Sequence, residues 1–345
     1  MKHWKKLLAL ALTLALALSL AGCGKTDTED TGTEEQTQTE EQAEEPVTGE
    51  SYAIAALKGP TAMGLVKLMS EAEAGADYIN DYTFTLAASA DEVSPLLMKG
   101  ELDMACVPAN LAAVLYQKTE GDIVTLAVNT LGVLYIVENG NAVQSMADLA
   151  GKTIVASGKG STPEYALRYL LSENGLDPDA DVTIDWKSEH SECVSALATG
   201  AATIAMLPQP FVTVAQSKIE GLRVALDLTE QWDALDNGSA LLTGVIVARR
   251  EVVEANPAAV DAFLKDYAGS VSWVNANTAE AAELIGSYDI VEAAVAEKAL
   301  PYCNIVCITG AEMKDKLSGY LQVLADADAS SVGGAMPGDD FYYGA

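Results

Sequence analysis

Histidine is almost missing from this chain: His3 and His190 are the only two in 345 residues. Cysteine is sparse too, and Cys106, Cys193, Cys303 and Cys307 follow none of the paired spacings that hold zinc. Neither a metal centre nor a resident cofactor is therefore expected. Acid–base chemistry is confined to one neighbourhood, His190-Ser191-Glu192, where Glu192 begins a helix and His190 reads as a surface residue. Basic residues are few, 20 Lys+Arg against 50 Asp+Glu, for a net charge of −30. That balance excludes nucleic acid as a partner, since phosphate binding needs clustered cations. It does not name a ligand, because a pocket can carry the opposite sign. Beyond residue 21 no segment reads as membrane-spanning.

What is present begins at the amino terminus. Met1-Lys2-His3-Trp4-Lys5-Lys6 is a basic stretch, and Leu7 to Ala21 is an apolar run too short for a comfortable membrane span. Leu20-Ala21-Gly22-Cys23 follows. It resembles the lipobox of bacterial lipoproteins, which implies a signal peptide over 1–22 and diacylation (palmitate-type lipidation) of Cys23. An ordinary signal peptide or an uncleaved anchor are the alternatives. Residues 23–50 are Thr, Glu, Gln and Asp with almost nothing apolar, and so predict an acidic, disordered tether. Two acyl chains on one cysteine suffice for stable anchoring.

The remainder is large for one core and suits two lobes. An internal repeat supports this. Glu92, Leu97, Gly100, Ala105 and Pro108 recur as Glu192, Leu197, Gly200, Ala205 and Pro208. Gly59-Pro60-Thr61 has its counterpart in Gly160-Ser161-Thr162. Each passage parses as strand, Gly/Thr turn, helix, strand, short helix, and a strand ending in Pro. Alternation of this kind predicts an α/β fold of two lobes, each a mostly parallel sheet flanked by helices. The apolar run Thr130 to Val137 reads as one strand leaving the first lobe, with the Asn139-Gly140 turn as the crossover. Leu241 to Ala248 reads as the returning strand. The first lobe is then expected over 51–138 plus 243–345, and the second over 139–242. Cys303 and Cys307 either pair or remain free buried thiols.

Ala147-Asp148-Leu149-Ala150-Gly151-Lys152-Thr153-Ile154-Val155 opens the second lobe, with Gly160-Ser161-Thr162-Pro163-Glu164-Tyr165, Ala196-Leu197-Ala198-Thr199-Gly200 and Asn256-Pro257 downstream. This ordered set resembles the type 2 periplasmic-binding-protein-like receptors of ABC importers, in the nitrate/sulfonate/bicarbonate and thiamine-precursor group. The resemblance implies a Venus-flytrap receptor on the outer face of the cytoplasmic membrane. It would be a monomer that captures a small polar organic solute or oxyanion and passes it to a permease with its ATPase. It implies no enzyme, although biosynthetic enzymes share the fold, and a sensor lipoprotein would look the same.

In α/β sheets, ligands gather at the carboxyl ends of strands. That rule picks the candidate contacts. Gly59, Pro60 and Thr61 form a βα loop that lets a ligand approach the backbone, with Thr61 read as ligand contact or N-cap and Met63 as pocket wall or core. Ser161 and Thr162 occupy the matching turn of the second lobe, and Tyr165 follows one helical turn on as a stacking aromatic. Asn110 and Gln209, after matching strands, offer both donors and acceptors. Ser89 ends the second strand.

Overall fold

Residues 48–345 are described by a computed structural model; the signal segment, Cys23 and the tether up to residue 47 lie outside them. Eleven strands form two sheets. The first sheet holds β1 (Ser51–Leu57), β2 (Asp81–Ala87), β3 (Met104–Pro108), β4 (Ile123–Leu131), β10 (Leu242–Arg249) and β11 (Ile305–Ile308), in the order β11-β4-β10-β3-β1-β2. The second holds β5 (Leu134–Glu138), β6 (Thr153–Ser157), β7 (Thr183–Lys187), β8 (Ile204–Pro208) and β9 (Arg223–Asp227), in the order β7-β6-β8-β5-β9. Reading β2-β1-β3-β10-β4 beside β7-β6-β8-β5-β9 shows one topology used twice.

As expected, each sheet is mostly parallel in strand direction: four of six strands in the first and four of five in the second run one way, and β10, β11 and β5 run against them. β5 and β10 each start where the chain arrives from the other sheet, at the carboxyl ends of the parallel strands, and so run the opposite way. Leu134 pairs with Pro208, and Gly244 with Pro108. One expectation needs correction: the chain crosses at Gly132-Val133 and not at Asn139-Gly140. Thr130 to Val137 is two strands in two sheets. Both are buried almost throughout, so their sequences merge into one apolar run.

Gly132 allows this crossing. A Cβ there would stand 2.1 Å from Thr229 Oγ1 and 3.1 Å from the Leu241 side chain. Gly132→Ala is expected to cost about 1–3 kcal/mol through overpacking. Urea unfolding checks this: an unchanged midpoint would mean that Thr229 and Leu241 yield without strain.

Helices cover both sheets. Thr162–Glu173 buries Ala166, Leu167, Leu170 and Leu171, one apolar stripe at helical spacing. Pro257–Ala276 is capped by Asn256, whose side chain accepts from the Ala259 N–H at 3.2 Å, and packs Phe263 and Tyr267 behind the first sheet. The largest core cluster draws side chains from both sheets and from the helix Gly310–Ala327, where Tyr320 packs on Trp232 at 5.7 Å between ring centres. Among the described residues no helix is long and apolar enough to cross a membrane. No group of His, Cys, Asp and Glu among them could hold a metal. Cys303 and Cys307 are free, as are Cys106 and Cys193. Burial raises all four thiols, Cys106 and Cys303 to about 12 and Cys193 and Cys307 to about 11, which leaves them protonated and unreactive.

Candidate functional site

The carboxyl ends of β1, β3, β6 and β8 converge on one chamber of about 220 Å³. From the first sheet it receives residues 57–61, Pro108 and Thr243; from the second, Gly158, residues 161–163, His190 and residues 208–211. Val133 and Leu134, at the crossing itself, complete the wall. A wider cavity of about 890 Å³ adjoins it, and Gln209 lines both. Asp227, Glu230, Glu297 and Lys298 give the wider cavity an acidic bias, and on its wall the Tyr135 hydroxyl donates to the Tyr302 carbonyl at 3.2 Å.

The structure distributes the candidate residues unevenly. Gly59, Pro60, Thr61, Ser161, Thr162 and Gln209 all line the chamber. Thr61 is not an N-cap: Gly59 holds that place, and the Thr61 hydroxyl donates back to the Leu57 carbonyl at 2.9 Å. The Ser161 hydroxyl donates to the Gly158 carbonyl at 2.8 Å. Thr162 Oγ1 accepts from the Tyr320 hydroxyl at 3.0 Å and reaches Asn110 Oδ1 at 3.5 Å. The side-chain hydroxyls of both turns are thus already engaged. What the turns still offer is the unpaired backbone N–H groups of a first helical turn.

Four candidates lie elsewhere. Met63 is wholly buried in the core behind the first sheet, because its helix turns that face away from the chamber. Asn110 is buried with its amide engaged at both ends, Nδ2 donating to the Ser331 carbonyl at 3.2 Å. Ser89 is exposed beyond edge strand β2, its hydroxyl on Glu92 at 3.2 Å. Tyr165 packs against the main core and does not reach the chamber wall.

Three residues were missed by sequence reasoning: His190, Phe211 and Thr243. His190 is not a surface residue. It lines the chamber, packs on Phe211 at 5.0 Å between ring centres, and shares a short hydrogen bond from Nδ1 with Ser157 Oγ. Burial lowers its pKa to about 4, so it is neutral at physiological pH. His190 follows β7 as Ala90 follows β2 in the repeat, but that position alone does not report how near the chamber it lies. Ser157 itself is 2% exposed and sits behind the ring, out of reach of anything in the chamber. The only basic side chain on the chamber wall is Lys58, and it is paired with Asp289 at 2.8 Å. Thr243 Oγ1 is buried and has no hydrogen-bond partner.

Comparison with known proteins places this geometry. The chain has the fold of several solved receptors. An ABC transporter protein from Parabacteroides distasonis aligns with a TM-score of 0.72 and 22% identity, covering 85% of this chain and 98% of its own. The periplasmic aliphatic sulphonate binding protein SsuA from Escherichia coli aligns with a TM-score of 0.68 and 18% identity, covering 85% and 96%. The alkanesulfonate-binding SsuA from Xanthomonas axonopodis pv. citri, bound to MOPS, aligns with a TM-score of 0.61 and 17% identity, covering 84% and 94%. None of the curated proteins matches the sequence. The family model for the phosphonate ABC transporter periplasmic substrate-binding protein matches residues 73–300, well over half of the chain, and the chain belongs to that family.

Proposed function

We propose that this protein is the lipid-anchored receptor of an ABC importer, capturing a small solute between its two sheets and handing it to a membrane permease and its ATPase. One observation carries this reading: a single chamber is walled by the strand ends of both sheets, so a ligand inside touches both. A ligand that makes contacts to both lobes only when they are closed shifts the population toward the closed form. The lobes of this proposal are residues 51–131 with 242–345, and 134–227, hinged at Gly132-Val133 and at the return into β10. Cys23 would carry the lipid, and the segment after it would span from membrane to receptor as a monomer. The family description points to phosphonate-type solutes and the sulphonate-binding neighbours to sulfonates, for both of which the first turns after residues 59 and 161 would supply N–H donors.

Thermal unfolding of the chain with sulfonates, phosphonates, nitrate, bicarbonate and neutral heterocycles tests the proposal. A true ligand at a hundredfold excess over Kd adds about 2.7 kcal/mol of stability. One chemical class should give a saturable shift and be recovered unchanged. Conversion of that compound would replace the receptor reading with an enzymatic one.

A further inference from the structure

The chamber is closed differently on its two flanks. On one, the wide cavity is lined by Thr213 and Asp227 from the second lobe and by Glu297 and Pro301 from the first. On the other, the helix Gly310–Ala327 of the first lobe fills the gap. Its Leu317, Tyr320 and Leu321 join one apolar cluster with Leu167 and Leu170 of the second-lobe helix Thr162–Glu173. Tyr320 packs on Trp232, in the helix after β9, and Trp232 in turn lies on Tyr169 at 4.8 Å between ring centres.

A chain of hydrogen bonds runs through this packing, and its direction follows from the donors present. Asn110 Nδ2 donates to the Ser331 carbonyl at 3.2 Å, so the amide oxygen is the atom turned to Thr162. An amide oxygen only accepts, so the Thr162 hydroxyl donates across their 3.5 Å contact and its one proton is committed there. The Tyr320 hydroxyl therefore donates to Thr162 Oγ1, at 3.0 Å. Asn110, Tyr320 and Ser331 come from the first lobe and Thr162 from the second, so one second-lobe hydroxyl is gripped on both sides by the first lobe. All four residues are buried, and no water competes for these bonds while the contact stays closed.

We propose that Tyr320 and Asn110 are positioning residues for ligand capture: they latch the first turn of Thr162–Glu173 to the first lobe in the closed form, and so raise the closed population before a ligand arrives. The proposal rests on the receptor reading and adds what holds the closed form together. Thr162 lines the chamber, so the latch sits directly behind the turn whose N–H groups face the ligand. Parting of the lobes breaks both bonds of Thr162 and uncovers Trp232. Tyr320→Phe removes a bond from the closed form alone, because in an open form water takes the hydroxyl's place. Apparent affinity then falls with the closed fraction.

Acrylamide quenching of Trp232 in the unliganded full chain tests the latch, each protein being compared with the same protein carrying Trp232→Phe to isolate that emission. Most Trp232 emission should resist quenching in the parent chain. Tyr320→Phe should raise the ratio of quenchable to protected emission about fivefold, the effect of one neutral hydrogen bond. Thr162→Val, which removes both bonds, should raise it further. Thr162→Ser keeps the hydroxyl and should stay near the parent. Melting of each variant shows whether it is folded. Unchanged protection in folded Tyr320→Phe or Thr162→Val overturns the proposal, as does a parent Trp232 already open to the quencher. Methylphosphonate or ethanesulfonate, added to Tyr320→Phe, should restore protection by drawing the lobes closed. Failure of both compounds overturns the receptor reading and the role in capture, while the unliganded quenching decides the latch by itself.

Discussion

Glu138→Ala lowers the unfolding free energy by about 3–5 kcal/mol. Glu138 is 3% exposed at the end of β5 and accepts from the Ala142 N–H at 2.8 Å, the Val143 N–H at 3.2 Å and Arg223 Nη2 at 2.5 Å. Burial alone raises its carboxyl pKa, yet the two N–H groups and Arg223 together hold it below its ordinary 4.5. Its stabilisation is therefore complete above about pH 4.5 and is lost as acid protonates it. Alanine leaves the Ala142 and Val143 N–H groups without their acceptor and removes the carboxylate from Arg223, which keeps only the Gly140 and Val143 carbonyls. Glu138→Gln keeps an acceptor and should cost less than alanine. Urea unfolding at pH 7 separates the two, and equal losses would show that the charge carries the whole effect.

Acid should destabilise the protein through His190 by about 3 kcal/mol between pH 6.5 and pH 4. The imidazole takes its proton near 6.5 when unfolded and near 4 when folded, because burial against Phe211 disfavours the charged ring. Between those values the unfolded state binds more protons, so stability rises with pH. The contribution is full above 6.5 and is lost as pH falls to about 4. Many carboxylates titrate in the same range, so the comparison is with His190→Asn. Whatever its stability at neutral pH, the variant should lose less stability over this acid range by that amount. Parallel slopes in pH-dependent urea unfolding would show that the ring stays hydrated.

Much of the fold was legible because the repeat preserves local geometry. The helices Ala90–Met98 and His190–Ala198 end at glycines with φ of 76° and 73°, Gly100 and Gly200, and the strands after them both finish in proline. Left-handed φ, helix spacing and a proline stop are all short-range constraints, and such constraints leave marks in sequence. The crossing left none, because burial of consecutive strands erases the alternation that would separate them. In the site, the turns at Gly59 and Ser161 were readable from strand–turn–helix order. The fate of Asn110 was not: its partner Ser331 lies more than two hundred residues away. His190 was misjudged because its distance from the chamber is set by strand order across the second sheet, which no local pattern reports.

The strand order of the first sheet also governs how the chain is assembled as it is made. β4 lies between β10 and β11, and both of its neighbours come later in the chain. All five strands of the second sheet, by contrast, fall within residues 134–227. A chain emerging amino terminus first completes the inserted half while the half it began with still waits. Throughout that interval neither sheet neighbour of β4 has been made, so a strand formed there would have two unpaired edges, the kind of surface that aggregation exploits. A chain cut short before Ile308 never covers one of them.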